Sequence, residues 1–289
     1  MENKYLDFEN PKGWIALDID GTITADKYQI PVKVLEYLQS LVEAGWKLVL
    51  LTGRSFYFAL RAVETLPFPY LLALQNGSLI LKMPEREILL KKNLNTTNLE
   101  ILDHEYKGIK GGLLIYSGIE RGDFFYYKPD AFSLDDLPFL EEVKRRENPS
   151  SVACSQFDFH EIKFSPLVKT FGPKERMQSY VQRLKKFSLF ELTLIQDPFQ
   201  KDFYFLLITD KNVTKGSALK EIVERYGRGN GVICGGDDEN DYSMFEVADF
   251  AIAMQSAPAF MKKEADFIAP PVEEYGIIKA ISQAISKFA

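Results

Sequence analysis

Trp14-Ile15-Ala16-Leu17-Asp18-Ile19-Asp20-Gly21-Thr22-Ile23 is the stretch whose reading decides the fold. An apolar run that ends in two carboxylates and a glycine reads as a buried strand delivering Asp18 and Asp20 to the carboxyl edge of a sheet. Open α/β sheets bind their ligands at that edge. Two acids placed there can hold a divalent cation, and one can attack an electrophile while the other moves a proton. A plain Asp-Gly turn after a strand has the same local sequence. The decision therefore rests on the partners these acids find further along the chain.

Working outward, the same style repeats. Ile30-Pro31 opens a helix with Val34, Leu35, Leu38, Leu41 and Val42 at the helical period, and Gly45 ends it. Trp46–Leu51 is a second buried run, Thr52-Gly53-Arg54-Ser55 turns into a helix reaching about Thr65, and Tyr70–Leu74 is a third run ending at Gln75-Asn76-Gly77. This β-α-β-α-β order predicts an α/β core, a parallel Rossmann-like sheet with helices on both faces.

The character changes near Pro84. Short aromatic-rich runs follow at Gly112–Tyr116, Phe124–Lys128, His160–Phe164, Phe190–Ile195 and Phe203–Ile208, with helical patterns at Pro138–Arg146 and Lys174–Phe187. Such mixing predicts an α+β insert with an open, largely antiparallel sheet. The alternation of Phe124, Phe125, Tyr126 and Tyr127 places half of them in its core. After Asp210 the first style returns with a helix at Lys215–Tyr226, strands at Gly231–Cys234 and Phe250–Met254, and an amphipathic helix at Tyr275–Phe288. The expected organisation is a core of residues 1–82 and 208–289 interrupted by a cap domain of residues 83–207.

Composition bounds the function. The 289 residues are 46% apolar and 26% charged, ordinary for a chain that buries a real core. A net charge of −6 gives no basic footprint for nucleic acid. No apolar stretch approaches the roughly 18 residues of a membrane span, and Met1–Glu9 are polar and acidic, unlike a signal peptide. Two cysteines, Cys154 and Cys234, imply no disulfide framework and suit a reducing cytoplasm. Two histidines, His104 and His160, cannot build a His-rich zinc site, so a bound metal would sit on carboxylates, which favours Mg²⁺.

Three further segments join Asp18 and Asp20. Thr52-Gly53 ends the second core strand and starts a helix, where a hydroxyl and free N–H groups make a phosphate site or a simple N-cap. Lys215, in Val213-Thr214-Lys215-Gly216-Ser217-Ala218-Leu219, opens a helix against the positive end of its dipole, which suggests that it faces an anion. Gly235-Gly236-Asp237-Asp238-Glu239-Asn240-Asp241 clusters acids after a buried strand, where their repulsion calls for a cation.

In this order, Asp-Ile-Asp-Gly-Thr (18–22), Thr-Gly-Arg (52–54), Val-Thr-Lys-Gly-Ser-Ala-Leu (213–219) and Gly-Asp-Asp-Glu-Asn-Asp (236–241) resemble the four motifs of the haloacid dehalogenase-like superfamily of aspartate-nucleophile phosphatases, in its subclass IIB, the Cof-like hydrolases. Asn76-Gly77 matches a further element of the family. Ala251–Met254 resembles its tail, although Gln255-Ser256-Ala257 stands where Gly-Asn-Ala is usual. The resemblance implies Asp18 as nucleophile, Asp20 as general acid and then base, and Mg²⁺ on the Asp18 carboxylate, the Asp20 carbonyl and Asp237. It also implies a phosphate cradle of Ile19, Thr52, Gly53, Lys215 and Asn240, with Asp238, Asp241 and Arg54 behind these groups.

The expected function is a cytoplasmic Mg²⁺-dependent phosphatase acting on a small phosphorylated metabolite, such as a sugar phosphate, as a monomer or small homo-oligomer. Two alternatives stand beside it. A phosphomutase or phosphotransferase would use the same aspartyl-phosphate, and a non-catalytic protein would sense phosphorylated ligands with the same fold. Lys128, Lys163 and Arg121 are candidates for the polar end of a substrate, although lysines and arginines in such stretches are more often plain surface charges. Cap sequence says little about which substrate that is.

Overall fold

The structure, a computed structural model, describes residues 8–288, so most of the polar opening segment lies outside the described residues. Contacts divide the chain into two compact units. One comprises the described residues through Gly53, Ala59–Leu90 and those from Thr214 onward; the other comprises Arg54–Phe58 and Lys91–Val213.

The first unit begins with β1 (Trp14–Asp18), α1 (Val32–Glu43), β2 (Lys47–Leu51), α2 (Phe56–Val63), β3 (Tyr70–Leu74), β4 (Leu79–Met83) and β5 (Glu87–Lys91). The first turn of α2 groups with the second unit. β1, β2 and β3 are buried along their length except for Lys47, as unbroken apolar runs of a parallel sheet must be. β4 runs antiparallel to β3, in register Tyr70 with Met83. Because β4 and β5 continue the sheet, the unit reaches Leu90, beyond the boundary expected at residue 82.

The second unit holds β6 (Leu94–Asn95), α3 (Thr96–Glu105), β7 (Leu114–Tyr116), β8 (Phe125–Tyr127), α4 (Leu137–Glu147), β9 (Val152–Ala153), β10 (Phe164–Ser165), β11 (Val168–Gly172), α5 (Lys174–Lys185), β12 (Phe190–Gln196) and β13 (Tyr204–Asp210). Six strands pair in the order β12-β13-β11-β7-β8-β9, antiparallel except between β8 and β9. Side chains alternate between two cores. Leu206 and Ile208 join Leu99, Leu102 and Met177 on one face, while Phe205 and Leu207 join Phe139, Leu140 and Val143 on the other.

Two expectations fail in this unit. All three residues of β8 are buried rather than half of the aromatics, because helices cover both faces of the sheet. His160–Lys163 do not form a strand. The Asp158 carboxylate accepts the N–H groups of His160 (2.9 Å) and Glu161 (3.3 Å), a side-chain-closed turn that competes with strand pairing. His160 is accordingly an exposed turn residue.

The chain returns to the first unit through α6 (Lys215–Tyr226), β14 (Val232–Gly236), α7 (Tyr242–Phe245), β15 (Phe250–Met254), α8 (Ala259–Glu264), β16 (Phe267–Ala269) and α9 (Gly276–Ile285). The eight-stranded order is β16-β15-β14-β1-β2-β3-β4-β5, with β1 parallel to both β14 and β2. Trp14, Ala16, Val49 and Leu51 pack with Ala218, Leu219 and Ile222 of α6 on one face. On the other, Leu17 and Ile277 of α9 close over Gly235. β1 and β14 thus lie side by side at the sheet centre, and their carboxyl ends carry the acidic segments. Among the described residues no helix is long and apolar enough to cross a membrane.

Candidate active site

Asp18 is the last residue of β1 and is buried. The chain then turns tightly. Ile19 O accepts from Ile23 N–H (3.1 Å) and Thr24 N–H (3.2 Å), and Gly21 N–H donates to Thr24 O (2.9 Å). Gly21 adopts a left-handed φ of +76°, and a Cβ there would fall onto the Asp237 carboxylate. Glycine is therefore what lets the β14 loop bring Asp237 against the β1 loop.

The β14 loop folds back in a similar way. A Cβ at Gly236 would overlap the Asp241 side chain. With that space open, Asp241 Oδ2 accepts from the N–H groups of Asp237 (2.8 Å) and Asp238 (3.1 Å). The Asp238 side chain accepts from Glu239 N–H at 2.8 Å and so caps the turn of residues 239–241. One oxygen from each of Asp18, Asp237 and Asp241 lies within 4.8 Å of the others.

Lys215 reaches this cluster from the first residue of α6. Thr214 caps the helix, its side chain accepting from Ser217 N–H (3.0 Å) while Ser217 Oγ accepts from Thr214 N–H (3.0 Å). Gly216 N–H donates to Ser243 Oγ (2.9 Å), and a Cβ at Gly216 would collide with the Ser243 backbone, so α6 sits directly on the start of α7. Lys215 Nζ donates to Asp18 Oδ1 and, at 2.6 Å, to Asp241 Oδ1, with the ammonium fully buried. The anion that the sequence suggested for this lysine is supplied, in this structure, by two carboxylates.

Charge in the cluster is unbalanced. Burial alone would lower the Lys215 ammonium, but the Asp18 and Asp241 charges outweigh it and hold the group well above the ordinary lysine range. Burial, reinforced by Asp241 and Asp20 and opposed by Lys215, raises Asp18 well above the usual carboxylate range. Asp237 is raised as well, by burial and then by Asp18, Asp241 and Asp238. Three carboxylates share one ammonium, and an oxygen-only donor set with excess negative charge fits a hard divalent cation such as Mg²⁺. Both Asp241 oxygens are committed to Lys215 and backbone N–H groups, which leaves Asp18 and Asp237 as the carboxylates suited to hold it.

Thr52 follows β2 and is buried. Its N–H donates to Ala73 O and its carbonyl accepts from Asn76 N–H, both at 2.9 Å, so it is pinned between the ends of β2 and β3. Asn240 Nδ2 donates to Asn76 Oδ1 at 3.1 Å. The β1, β2, β3, α6 and β14 segments thus meet within one unit. Arg54 groups with the second unit, where its guanidinium stacks on the Phe58 ring at 4.0 Å and donates to Phe58 O at 3.3 Å. In that unit Lys128 also pairs with Asp103 (2.5 Å) and Arg121 with Glu161 (3.0 Å). Thr22 Oγ1, Gln75 Oε1 and Asn76 Nδ2 are buried with no hydrogen-bond partner among the described residues. The sequence reading placed Thr22 and Asn76 in motif stretches but gave none of the three a role of its own; an Asn-Gly pair directly after a buried strand is itself a signal of special backbone geometry.

Comparison with known proteins agrees in extent. The model of the haloacid dehalogenase-like hydrolase family matches residues 15–281. A phosphoglycolate phosphatase of Methanobrevibacter smithii is 24% identical over 275 residues, covering 95% of this chain and 97% of the relative. The 5-amino-6-(5-phospho-D-ribitylamino)uracil phosphatase YwtE of Bacillus subtilis is 25% identical over 307 residues, covering 94% and 98%. Among solved structures, a haloacid dehalogenase-like hydrolase from Bacteroides thetaiotaomicron superposes with a TM-score of 0.73 at 23% identity, covering 94% of this chain and 99% of the other. The subclass IIB sugar phosphatase BT4131 superposes with a TM-score of 0.70 at 19% identity, covering 94% and 98%. These two structural likenesses concern the fold.

Proposed function

Because the chain belongs to the haloacid dehalogenase-like hydrolase family, we propose that it is a Mg²⁺-dependent phosphoric monoester hydrolase of the Cof-like subclass IIB, working through an aspartyl-phosphate on Asp18. The observation that carries this reading is the Lys215 bridge between Asp18 and Asp241, beside Asp237, at the carboxyl end of the central strands.

Asp18, Asp237 and the Asp20 carbonyl are the groups assigned to hold Mg²⁺, which when bound supplies positive charge between the attacking carboxylate and the phosphoryl oxygens. Lys215, the backbone around Ile19, Thr52 with Gly53, and Asn240 bind and orient the phosphoryl group, since phosphoryl transfer depends mainly on positioning and charge stabilisation. In the first step an Asp18 oxygen bonds to phosphorus, the bond to the leaving oxygen breaks, and Asp20 gives that oxygen its proton. In the second, Asp20 takes a proton from water as the water oxygen bonds to phosphorus. The acyl-phosphate P–O bond then breaks, releasing inorganic phosphate and restoring Asp18. Asp241 orients Lys215.

The relatives' names cover phosphoglycolate and a phosphoribitylamino-uracil, which supports a small phosphorylated metabolite as the substrate class. The insert, read from sequence as a cap, is assigned the selection among them. The test is phosphate release from a panel of such compounds with Mg²⁺, beside Asp18→Asn and a chelated control. Release that survives Asp18→Asn would sink the covalent mechanism. Formation of an isomeric phosphate in place of free phosphate would turn the reading to a mutase.

A further inference from the structure

Asn76 is held by more of the candidate site than any role yet assigned to it explains. It follows β3 and is 1% exposed, with a left-handed φ of 58° that asparagine tolerates better than most residues. Its N–H donates to Thr52 O at 2.9 Å, tying it to the end of β2. Its Oδ1 accepts from Asn240 Nδ2 at 3.1 Å, across 164 positions of sequence. The next residue, Gly77, has a φ of +103°, and a Cβ there would press on Thr214 O and Ala218 Cβ, so the same turn fits closely under the start of α6. One residue therefore joins the Thr52 loop to the Asn240 loop at the foot of the helix that carries Lys215.

We propose that Asn76 is a positioning residue for phosphate binding. Its carbonyl oxygen takes one N–H of the Asn240 amide and so sets the direction of the second N–H, while its backbone holds the Thr52 carbonyl. This inference rests on the phosphatase reading above, in which Thr52 and Asn240 face the phosphoryl group. The chemistry is that of a pre-set donor. A side-chain amide that is already oriented loses less freedom when it binds an anion than one free to rotate. The left-handed backbone explains why asparagine suits the position, since it meets that conformation and offers an acceptor as well.

The test compares wild type with Asn76→Gly, which keeps the left-handed turn and removes the amide, with Asn240→Ala, and with the double variant. The readouts are the Kd of inorganic phosphate by calorimetry in Mg²⁺ buffer, KM and kcat for p-nitrophenyl phosphate, and Tm as a control for folding. We expect Asn76→Gly to weaken phosphate binding and raise KM by about five- to tenfold, as for one lost hydrogen bond, with a smaller change in kcat. In the Asn240→Ala background the same change should cost less than about twofold, because the partner is already gone. Unchanged Kd and KM in a folded Asn76→Gly protein would overturn the inference. So would effects that simply multiply in the double variant. A wild type that binds phosphate without turnover would defeat the phosphatase reading while the Kd comparison still judged Asn76. A wild type that binds no phosphate would defeat both.

Discussion

Gly216 faces the backbone of Ser243 with no room for a methyl group, and its N–H donates to Ser243 Oγ at 2.9 Å. This contact fixes the first turn of α6 on α7, and with it the Lys215 side chain that starts from the preceding residue. Gly216→Ala must push the helix away. We expect a loss of about 1–3 kcal/mol in stability, typical of overpacking a close contact. Activity should fall at least about tenfold, since even a displacement of about 1 Å is costly in a positioned site. Urea unfolding and kcat/KM measured on one preparation would check both, and wild-type activity would remove Gly216 from the chain of support for Lys215.

Lys215 is the positive partner of Asp18 and Asp241 and is fully buried with them. Lys215→Met leaves buried carboxylates without their counter-charge. In the absence of metal at pH 7 we expect a destabilisation of about 3–5 kcal/mol, the usual cost of breaking a buried pair from one side. Added Mg²⁺ should raise the Tm of the variant more than that of wild type, because it replaces missing positive charge. Equal shifts in the two proteins would show that the lysine and the cation act on separate sites.

Asp237 should decide metal affinity. It sits with Asp18 and Asp241 within 4.8 Å, and Gly21 is bare so that the carboxylate can approach. We expect Asp237→Ala to weaken Mg²⁺ binding by at least about tenfold in calorimetry, losing one charged ligand of a hard cation. The Mg²⁺-dependent rise in Tm should disappear with it. Chelation should leave wild type folded and inactive, since α6 and the sheet hold the site from behind.

A pH effect of the opposite sign to ordinary acid denaturation is expected from the second unit. Asp123 is 1% exposed, its Oδ2 accepts from Tyr57 N–H at 3.1 Å, and burial pushes its carboxyl from 3.8 up to about 7. The folded value lies above the unfolded one, so between about pH 4 and 7 the folded chain holds the extra proton. Stability from this group is therefore full below about pH 4, falls as pH rises to about 7, and is level above that. Asp123→Asn keeps the acceptor and abolishes the titration. The variant should gain on wild type by a few kcal/mol between pH 4 and 8 in urea unfolding. A difference that stays constant with pH would assign the group an ordinary carboxyl.

Much of the fold was legible because it is written in local period. The runs at 14–17, 48–51 and 70–74 are apolar without alternation, as strands buried on both faces are. Helix α6 begins at Lys215, where the sequence reading placed it. The insert was harder. Helix α3 starts in the polar stretch Thr96-Thr97-Asn98, and its buried Leu99 and Leu102 are too few to show a period. At His160–Lys163, one aspartate side chain overrode a strand-like pattern.

The candidate site divides along the same physical line. By itself the sequence determined which acids end the central strands, that a lysine opens α6, and that glycines stand where loops must turn sharply. Spacing along a strand or helix fixes all of these at short range. Only the tertiary structure decided that Lys215 lies between Asp18 and Asp241, 197 and 26 positions away, and that Asn76 grips Asn240. Such meetings depend on the strand order at the sheet centre and on helices seated against bare glycines. Those are properties of packing, and no local stretch of the chain contains them.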